Sequence, residues 1–455
     1  MSLAVAPGRL EALVAERERV LTGFLEAEQD SITRACRDLA ASLSRGGTLL
    51  VHATGAAATD AAHVAVEFMH PVIMGKRALP AIALSNDTTG LASVTRLVRP
   101  DDVVMVICHG PADAAAREAL EHANAAGNLT LALVGAGGEA PEADHVLAVA
   151  CDDPQIVQEV QETAYHVLWE LVHVLFEHPS LLEDVCITCG DVAVAARVVA
   201  LTERGALIEL DGAREEVACD LVGDVAVGDA LLCHAGVALD RLQEDAAAPV
   251  EDPTAFLYPF LGDQAESDAD AVFADLRAST LAKGADVVAL RRGVDVEAVA
   301  RCAGAVRERL DGGGRLLVFG NGGSTTDAQD AAADALGRGW PAIALPDDVS
   351  TVTAVANDVG FENVFSRQLI ALARQADVAL AISTSGSSAN IVAALEEAHR
   401  RGMLTCAVVG HDGGRIAQLP WLDHLLLVRS DYVPRVQEAQ ATIYHLIIEA
   451  IGEHT

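Results

Sequence analysis

The feature that most constrains this chain is an internal repeat. RLLVFG at 315–320 repeats TLLVHA at 48–53, and WPAIALP at 340–346 repeats LPAIALS at 79–85. DVALAISTSG at 377–386 answers DVVMVICHG at 102–110, and EEAHRRGMLTCAVVG at 396–410 answers EHANAAGNLTLALVG at 121–135. VQEAQATIYHLIIEAI at 436–451 closes the second copy as VQEVQETAYHVLWELV at 157–172 closes the first. In each copy short apolar runs alternate with amphipathic stretches. That pattern predicts a parallel sheet covered by helices on both faces. Two copies in one chain predict a pseudo-symmetric pair, like the subunits of a homodimer joined end to end.

The remaining elements follow from local pattern. Residues 8–45 read as a long helix with a few interruptions, 46–53 as a glycine-opened strand, and Thr59–Met69 as a helix. Between the copies, residues 193–240 change character. The β-branched runs VAVAARVVAL, ALIEL, REEVAC and DALLCHAGVAL are separated by tight turns, which predicts a small all-β barrel or curled sheet. Residues 242–270 read as linker, and helices are expected over 270–284 and 294–311. The fold class is therefore α/β: two three-layer α/β/α lobes with parallel sheets, separated by a small all-β barrel. The expected domains are 1–183, 184–244, a linker and helix over 245–284, and 285–455.

Composition narrows the function. Sixty-six acidic residues against 31 Lys and Arg give a formal charge of −35, which disfavours binding to nucleic acid or anionic membranes. No run of 18 uninterrupted apolar residues suggests a membrane span, and the N-terminus reads as lacking a signal peptide. Nine scattered cysteines suit a reducing, cytoplasmic setting.

Chemistry concentrates in two loops of the second copy. GNGGS at 320–324 joins a strand to a helix, and such turns offer free amides to an anion or polar ligand. ISTSGSSAN at 382–390 follows another strand and sets Ser383, Thr384, Ser385 and Ser388 around Gly386. Hydroxyls with free amides at a helix start form a cradle for phosphate. Together GNGGSTTDAQD, PAIAL, NDVGFENVFSRQL, ISTSGSSANI and VQEAQATIYHLI resemble the SIS (sugar isomerase) domain of phosphoheptose isomerases over residues 285–455.

That resemblance implies an α/β/α fold, assembly as homodimers or larger homo-oligomers, and isomerisation of sedoheptulose 7-phosphate. It implies phosphate binding by Ser383, Thr384, Ser385 and Ser388, and sugar contacts by Asn321, Ser324, Arg338 and Asp358. It also implies a zinc or acid–base set, here Asp330, Asp334, Gln437 and His445. Asp330 and Asp334 are i,i+4 on one helix face and can address one cation, whereas Gln437 and His445 lie about 12 Å apart along theirs. The family glutamate is shortened to Asp334, and Pro434 replaces an aspartate before the glutamine.

The first copy inverts this pattern. His63 and Glu67 form the family's usual zinc or acid–base pair, and Gln158 and His166 keep the spacing of Gln437 and His445. The phosphate loop becomes ICHGPADAA, with His109 and Asp113 in place of hydroxyls. Three arrangements are open: one site shared across the pseudodimer interface, two separate sites, or histidines that are merely hydrogen-bonded interface residues.

The middle segment ends in VGDALLCHAGVALDRL and is similar, over 185–242, to the HypC/HupF family of [NiFe]-hydrogenase maturation chaperones. That resemblance makes Cys186 the essential cysteine, with Cys189 completing a CxxC pair able to bind iron or zinc. It implies a HypD-like protein and a hydrogenase large subunit as partners. His234 is expected to be structural or to face a partner. The leading expectation is a composite that binds or isomerises a phosphosugar in a hydrogenase-linked role, with Asp334, His445, Glu67, His166 and Cys186 as catalytic candidates. The alternative is a noncatalytic metabolite-sensing scaffold or metallochaperone.

Overall fold

The computed structural model describes residues 7–71, 76–84, 94, 96–177, 194–202, 205–210, 213–217, 219, 222, 225–234, 237–242, 269–452 and 454. Cys186 and Cys189 lie outside them, as does most of the expected 242–270 linker; His234 is described only as backbone. The chain divides into two compact units. One holds both repeats, spanning Met1–Val72, Ala78–Leu182 and Ser267–Thr455; the other spans Ile73–Arg77 and Glu183–Glu266.

In the first repeat α1 (Pro7–Ser44) leads into β1 (Leu49–Ala53), α2 (Ala58–Met69), β2 (Ala81–Leu84), β3 (Val103–Cys108), α3 (Ala114–Ala126), β4 (Leu129–Val134), β5 (His145–Ala148) and α4 (Pro154–Glu177). The strands form a parallel sheet in the order β2-β1-β3-β4-β5. All five residues of β1 are buried, as a strand covered on both faces requires.

The smaller unit contributes β6 (Val194–Thr202), β7 (Gly205–Leu210), β8 (Ala213–Val217), β9 (Ala230–His234) and β10 (Val237–Leu242). Among the described residues they form an antiparallel sheet in the order β10-β9-β6-β7-β8. The run DALLCHAGVAL is therefore two strands, with His234 paired opposite Val237. Val198, Ala206, Ile208, Val217 and Leu231 form its core.

The second repeat contains α5 (Ala269–Arg292), α6 (Val296–Asp311), β11 (Leu316–Phe319), α7 (Gly323–Gly337), β12 (Ala342–Ala344), α8 (Val349–Val359), α9 (Val364–Leu372), β13 (Val378–Ser383), α10 (Ala389–Arg400), β14 (Leu404–Val409), β15 (His424–Leu427) and α11 (Val433–Ile451). Its sheet order, β12-β11-β13-β14-β15, reproduces that of the first repeat.

Two expectations need correction. The helix α1 runs without interruption. The helix expected to stop at 284 continues to Arg292. Gly284 is not its end: a Cβ there would lie 2.1 Å from Leu25 Cδ1, so the glycine lets α1 and α5 approach closely.

The helices α4 and α11 lie against each other at the centre of the larger unit and are buried almost throughout. A helix buried all round is ordinarily apolar. Here α4 instead buries Gln158, Glu159, Gln161, Glu162, His166 and Glu170. Their partners come from other helices. Glu159 accepts from Arg17 Nε of α1 at 2.7 Å, His445 Nδ1 of α11 at 2.9 Å and Thr442 Oγ1 at 2.5 Å, and it pairs with Arg291 Nη2 of α5 at 3.2 Å. Burial works against the Glu159 charge, but Arg17 and Arg291 hold its carboxyl well below the ordinary range. Arg17 also reaches Glu449 at 2.9 Å, so one guanidinium joins α1 to both central helices. A second knot gathers Lys283, Arg435 and Tyr432 around Glu170. Arg17→Met leaves the buried Glu159 charge short of a partner and is expected to cost about 3–5 kcal/mol, measured by chemical denaturation.

Candidate functional site

Four side chains from both repeats converge beside α2. His63 and Glu67, one turn apart on α2, place Nε2 and Oε1 3.8 Å apart. With His166 of α4 they bring three ligand atoms within 4.8 Å of one another. The fourth comes from the other repeat: Gln437 of α11 donates from Nε2 to His63 Nε2 at 3.0 Å. Gln158, its counterpart in the first repeat, instead donates to Asp60 Oδ1 at 3.1 Å.

Both histidines are held from behind. His63 Nδ1 meets the Tyr165 hydroxyl at 3.1 Å, and that hydroxyl donates to Asp60 Oδ1 at 3.3 Å. With Gln437 donating to Nε2, the proton belongs on Nδ1 and the Nε2 lone pair accepts the Gln437 amide hydrogen. His166 Nδ1 lies 2.9 Å from Glu438 Oε1 across the interface, and its Nε2 has no hydrogen-bond partner. Glu67 Oε2 and Gln437 Oε1 likewise lack partners. Burial and the neighbouring His166 hold the His63 imidazole well below its ordinary pKa, so it is neutral. Burial raises the Glu67 carboxyl. Two imidazoles oriented by second partners and a carboxylate are a donor set of the kind that can hold a metal ion.

The GNGGS loop lies against this cluster. A Cβ on Gly323 would stand 1.9 Å from Gln437 Nε2 and 2.7 Å from His63 Nε2, so only glycine fits there. Asn321 and Asn390 exchange two amide hydrogen bonds, at 2.9 and 2.8 Å, tying that loop to the start of α10. Gln440, one turn beyond Gln437, donates to the carbonyls of Ser383 and Val408, both at 3.1 Å. Ser383 Oγ accepts from Gly386 N at 3.1 Å; Ser388 stands at the start of α10 without a side-chain cap bond, and Ile391 N in the first turn donates to Asn390 Oδ1 at 3.0 Å. The serine loop and the histidine cluster are thus braced by successive turns of α11.

Comparison with known proteins gives this arrangement a context. The SIS domain family matches residues 14–135 and 285–410, more than half of the chain. The chain belongs to the SIS domain family. The HupF/HypC family matches residues 192–252, so the order is SIS, HupF/HypC, SIS. This match begins after Cys186 and Cys189. The chain is similar to a phosphoheptose isomerase of Geotalea daltonii, 47% identical over 150 residues, covering 32% of this chain and 77% of that protein. A phosphoheptose isomerase of Aquifex aeolicus is 42% identical over 157 residues, covering 33% and 81%. Among solved structures, the C-terminal domain of glucosamine-fructose-6-phosphate aminotransferase from Francisella tularensis shares the fold, with a TM-score of 0.53 at 9% identity over 96% of this chain and 93% of that one.

The other face of the SIS pair is built from equivalent positions but is electrically closed. Asp330, Asp334 and His445 stand where His63, Glu67 and His166 stand in the first lobe. His445 Nδ1 faces Glu159 at 2.9 Å, while Nε2 faces Asp330 at 3.1 Å and Asp334 at 3.4 Å. Both ring nitrogens therefore donate. Although burial opposes the charge, Asp330 and Glu159 raise the imidazolium pKa to about 10. Tyr444 donates to Asp330 at 2.8 Å, Gln155 donates to Asp334, and Arg338 reaches the Gln155 amide oxygen at 3.4 Å.

The neighbouring loop is closed too. His109 bonds Asp60 at 2.7 Å, and Asp113 caps α3 by accepting from Ala116 N at 2.7 Å and Thr54 Oγ1 at 2.6 Å. Where Ser388 makes no side-chain cap bond to its helix, Asp113 caps its own with a carboxylate.

Of the remaining sequence candidates, Ser324 is buried in the first turn of α7, and Asp358 is exposed on α8, accepting from the Asn357 amide at 2.8 Å. Sequence reasoning missed Tyr165 and Glu438 as positioning partners. Both lie in the VQE…YH helices, and the eight-residue Gln–His spacing could have directed attention to the residues between.

The raised His445 pKa stabilises the fold below about pH 6.5, and that contribution is lost as pH rises through about 10. His445→Gln should flatten the fall in stability over that window, as read from urea unfolding at stepped pH.

Proposed function

We propose that this SIS–HupF/HypC–SIS protein binds a phosphorylated sugar at one composite site, with the serine loop of the second lobe holding the phosphate and the His63–Glu67–His166–Gln437 cluster facing the carbonyl end. The observation that carries this reading is Gln437: it contacts His63 from the other lobe while its own helix braces the Ser383 loop. The reaction this arrangement supports is aldose–ketose isomerisation of sedoheptulose 7-phosphate or a related sugar phosphate; the similar proteins are phosphoheptose isomerases.

Phosphate would take the hydroxyls of Thr384, Ser385 and Ser388 at the start of α10, near the positive end of the helix. Asn321, Ser324, Arg338 and Asp358 remain candidates for the sugar. Glu67, with its raised pKa and unpartnered oxygen, is suited to carry a proton between C1 and C2. His166 Nε2, without a hydrogen-bond partner among the described residues, would serve as a metal ligand rather than contact the substrate itself. Zinc held by His63, Glu67, His166 and Gln437 would polarise the substrate oxygens. Asp330, Asp334 and His445, closed by their own ion pairs, act in this reading as positioning groups rather than catalysts.

The HupF/HypC match favours a second role in hydrogenase assembly, in which the lobes sense a metabolite without turnover. Cys186 and Cys189 would then carry iron, with a HypD-like protein and a hydrogenase large subunit as partners. We place the HupF/HypC-like domain at 184–244 and begin the second lobe with α5.

Incubation of metal-loaded protein with sedoheptulose 7-phosphate should yield the aldose. Glu67→Gln should lower kcat by ~10²–10⁴-fold, and Ser385→Ala should chiefly raise KM. Absence of turnover across a series of ketose phosphates would sink the enzyme reading. Cys186→Ala should abolish hydrogenase maturation in a complementation assay if the assembly role holds; full maturation would exclude it.

A further inference from the structure

A second group of acidic side chains lies beside the zinc-type cluster and is not explained by it. Glu162 of α4 is fully buried, and among the described residues neither carboxylate oxygen has a hydrogen-bond partner. Asp327 of α7, from the other lobe, is 2% exposed, and its Oδ2 is also unpartnered. One ligand atom from each, with one from His63, lie within 4.8 Å of one another.

The internal repeat makes this pair conspicuous. Asp60, the counterpart of Asp327, is met by Gln158, Tyr165 and His109. Ala441 is the counterpart of Glu162. One copy thus surrounds its aspartate with donors, while the other places a second carboxylate beside it. Burial and the charges of Asp327, Glu438 and Asp60 push Glu162 well above the ordinary carboxyl range; burial and the charges of Asp330 and Asp60 do the same to Asp327. Unpaired buried carboxylates cost several kcal/mol each unless a proton or cation neutralises them.

We propose that Glu162 and Asp327, flanked by His63, seat a second cation of the oxygen-preferring kind, such as Mn²⁺ or Mg²⁺, across the lobe interface. Carboxylate donors favour such ions, whereas the neighbouring histidine-rich set favours zinc. His63 has one lone pair and belongs to the histidine-rich seat; it only flanks the second, whose protein ligands are Glu162 and Asp327. The second cation neutralises the carboxyl pair and links α4 to α7, fixing the lobes on either side of the site.

The test is to charge metal-free full-length protein with one equivalent of Zn²⁺ and titrate with Mn²⁺, following the free-ion EPR signal. Wild type should bind one Mn²⁺ per chain, and Glu162→Gln and Asp327→Asn should each weaken binding by at least ~10-fold. The substitutions are nearly isosteric, and either one that folds suffices. His166→Gln should reduce zinc content by metal analysis yet retain Mn²⁺. Zinc retention without Mn²⁺ binding in wild type, or equal Mn²⁺ affinity in wild type and both carboxamide variants, overturns the second seat and leaves the zinc-type site standing. Mn²⁺ binding that depends on Glu162, in protein that takes no zinc, supports the second seat while removing the zinc reading.

Discussion

The larger unit depends on the charge of Glu159. A carboxylate with no exposure is held at the centre of four helices by Arg17, Arg291, Thr442 and His445. The four partners come from three other helices, Thr442 and His445 both from α11, so α1, α5 and α11 must all dock on α4 for the charge to be tolerated. Such networks are costly when incomplete, which makes assembly all-or-none and fixes how the two lobes meet. Every distance at the candidate site is downstream of this constraint, because α4 and α11 also carry His166 and Gln437.

The same helices explain how near-identical halves acquire different chemistry. In one face His63 and His166 receive support on Nδ1; His63 Nε2 accepts from Gln437, and His166 Nε2 has no partner among the described residues. In the other, aspartates replace His63 and Glu67, and His445 donates from both nitrogens. One face is neutralised from within by a proton on His445, and the other offers donors outward. Asp113 and Ser388 repeat the contrast at the start of a helix, one capping its first turn through a carboxylate and the other making no side-chain cap bond.

Much of this was legible in the sequence. The repeated apolar runs specify both sheets and their strand content because parallel strands buried on both faces need uninterrupted aliphatic residues. The i,i+4 pair His63 and Glu67 and the serine loop were visible as local patterns. Cross-lobe partners were not: Gln437 and Gln158 have the same spacing to their histidines, and only docking decides which meets His63. Gly284 shows the complementary failure, since a glycine read as a helix end proves to be a point of helix contact. Glu162 is one letter in a helix that matches its repeat closely, and its consequence depends on Asp327 arriving from the other lobe.

Gln437 reaching His63 across the lobe boundary has a thermodynamic consequence. Between separate subunits, a composite site of this kind is populated only as far as the subunits associate, and it disappears on dilution. Here both contributors belong to one chain, so their meeting is intramolecular and governed by an effective concentration. The joined repeats also free the two faces from identity. A homodimer must carry each substitution twice, whereas this chain can lose ligand-binding groups on one side and keep them on the other.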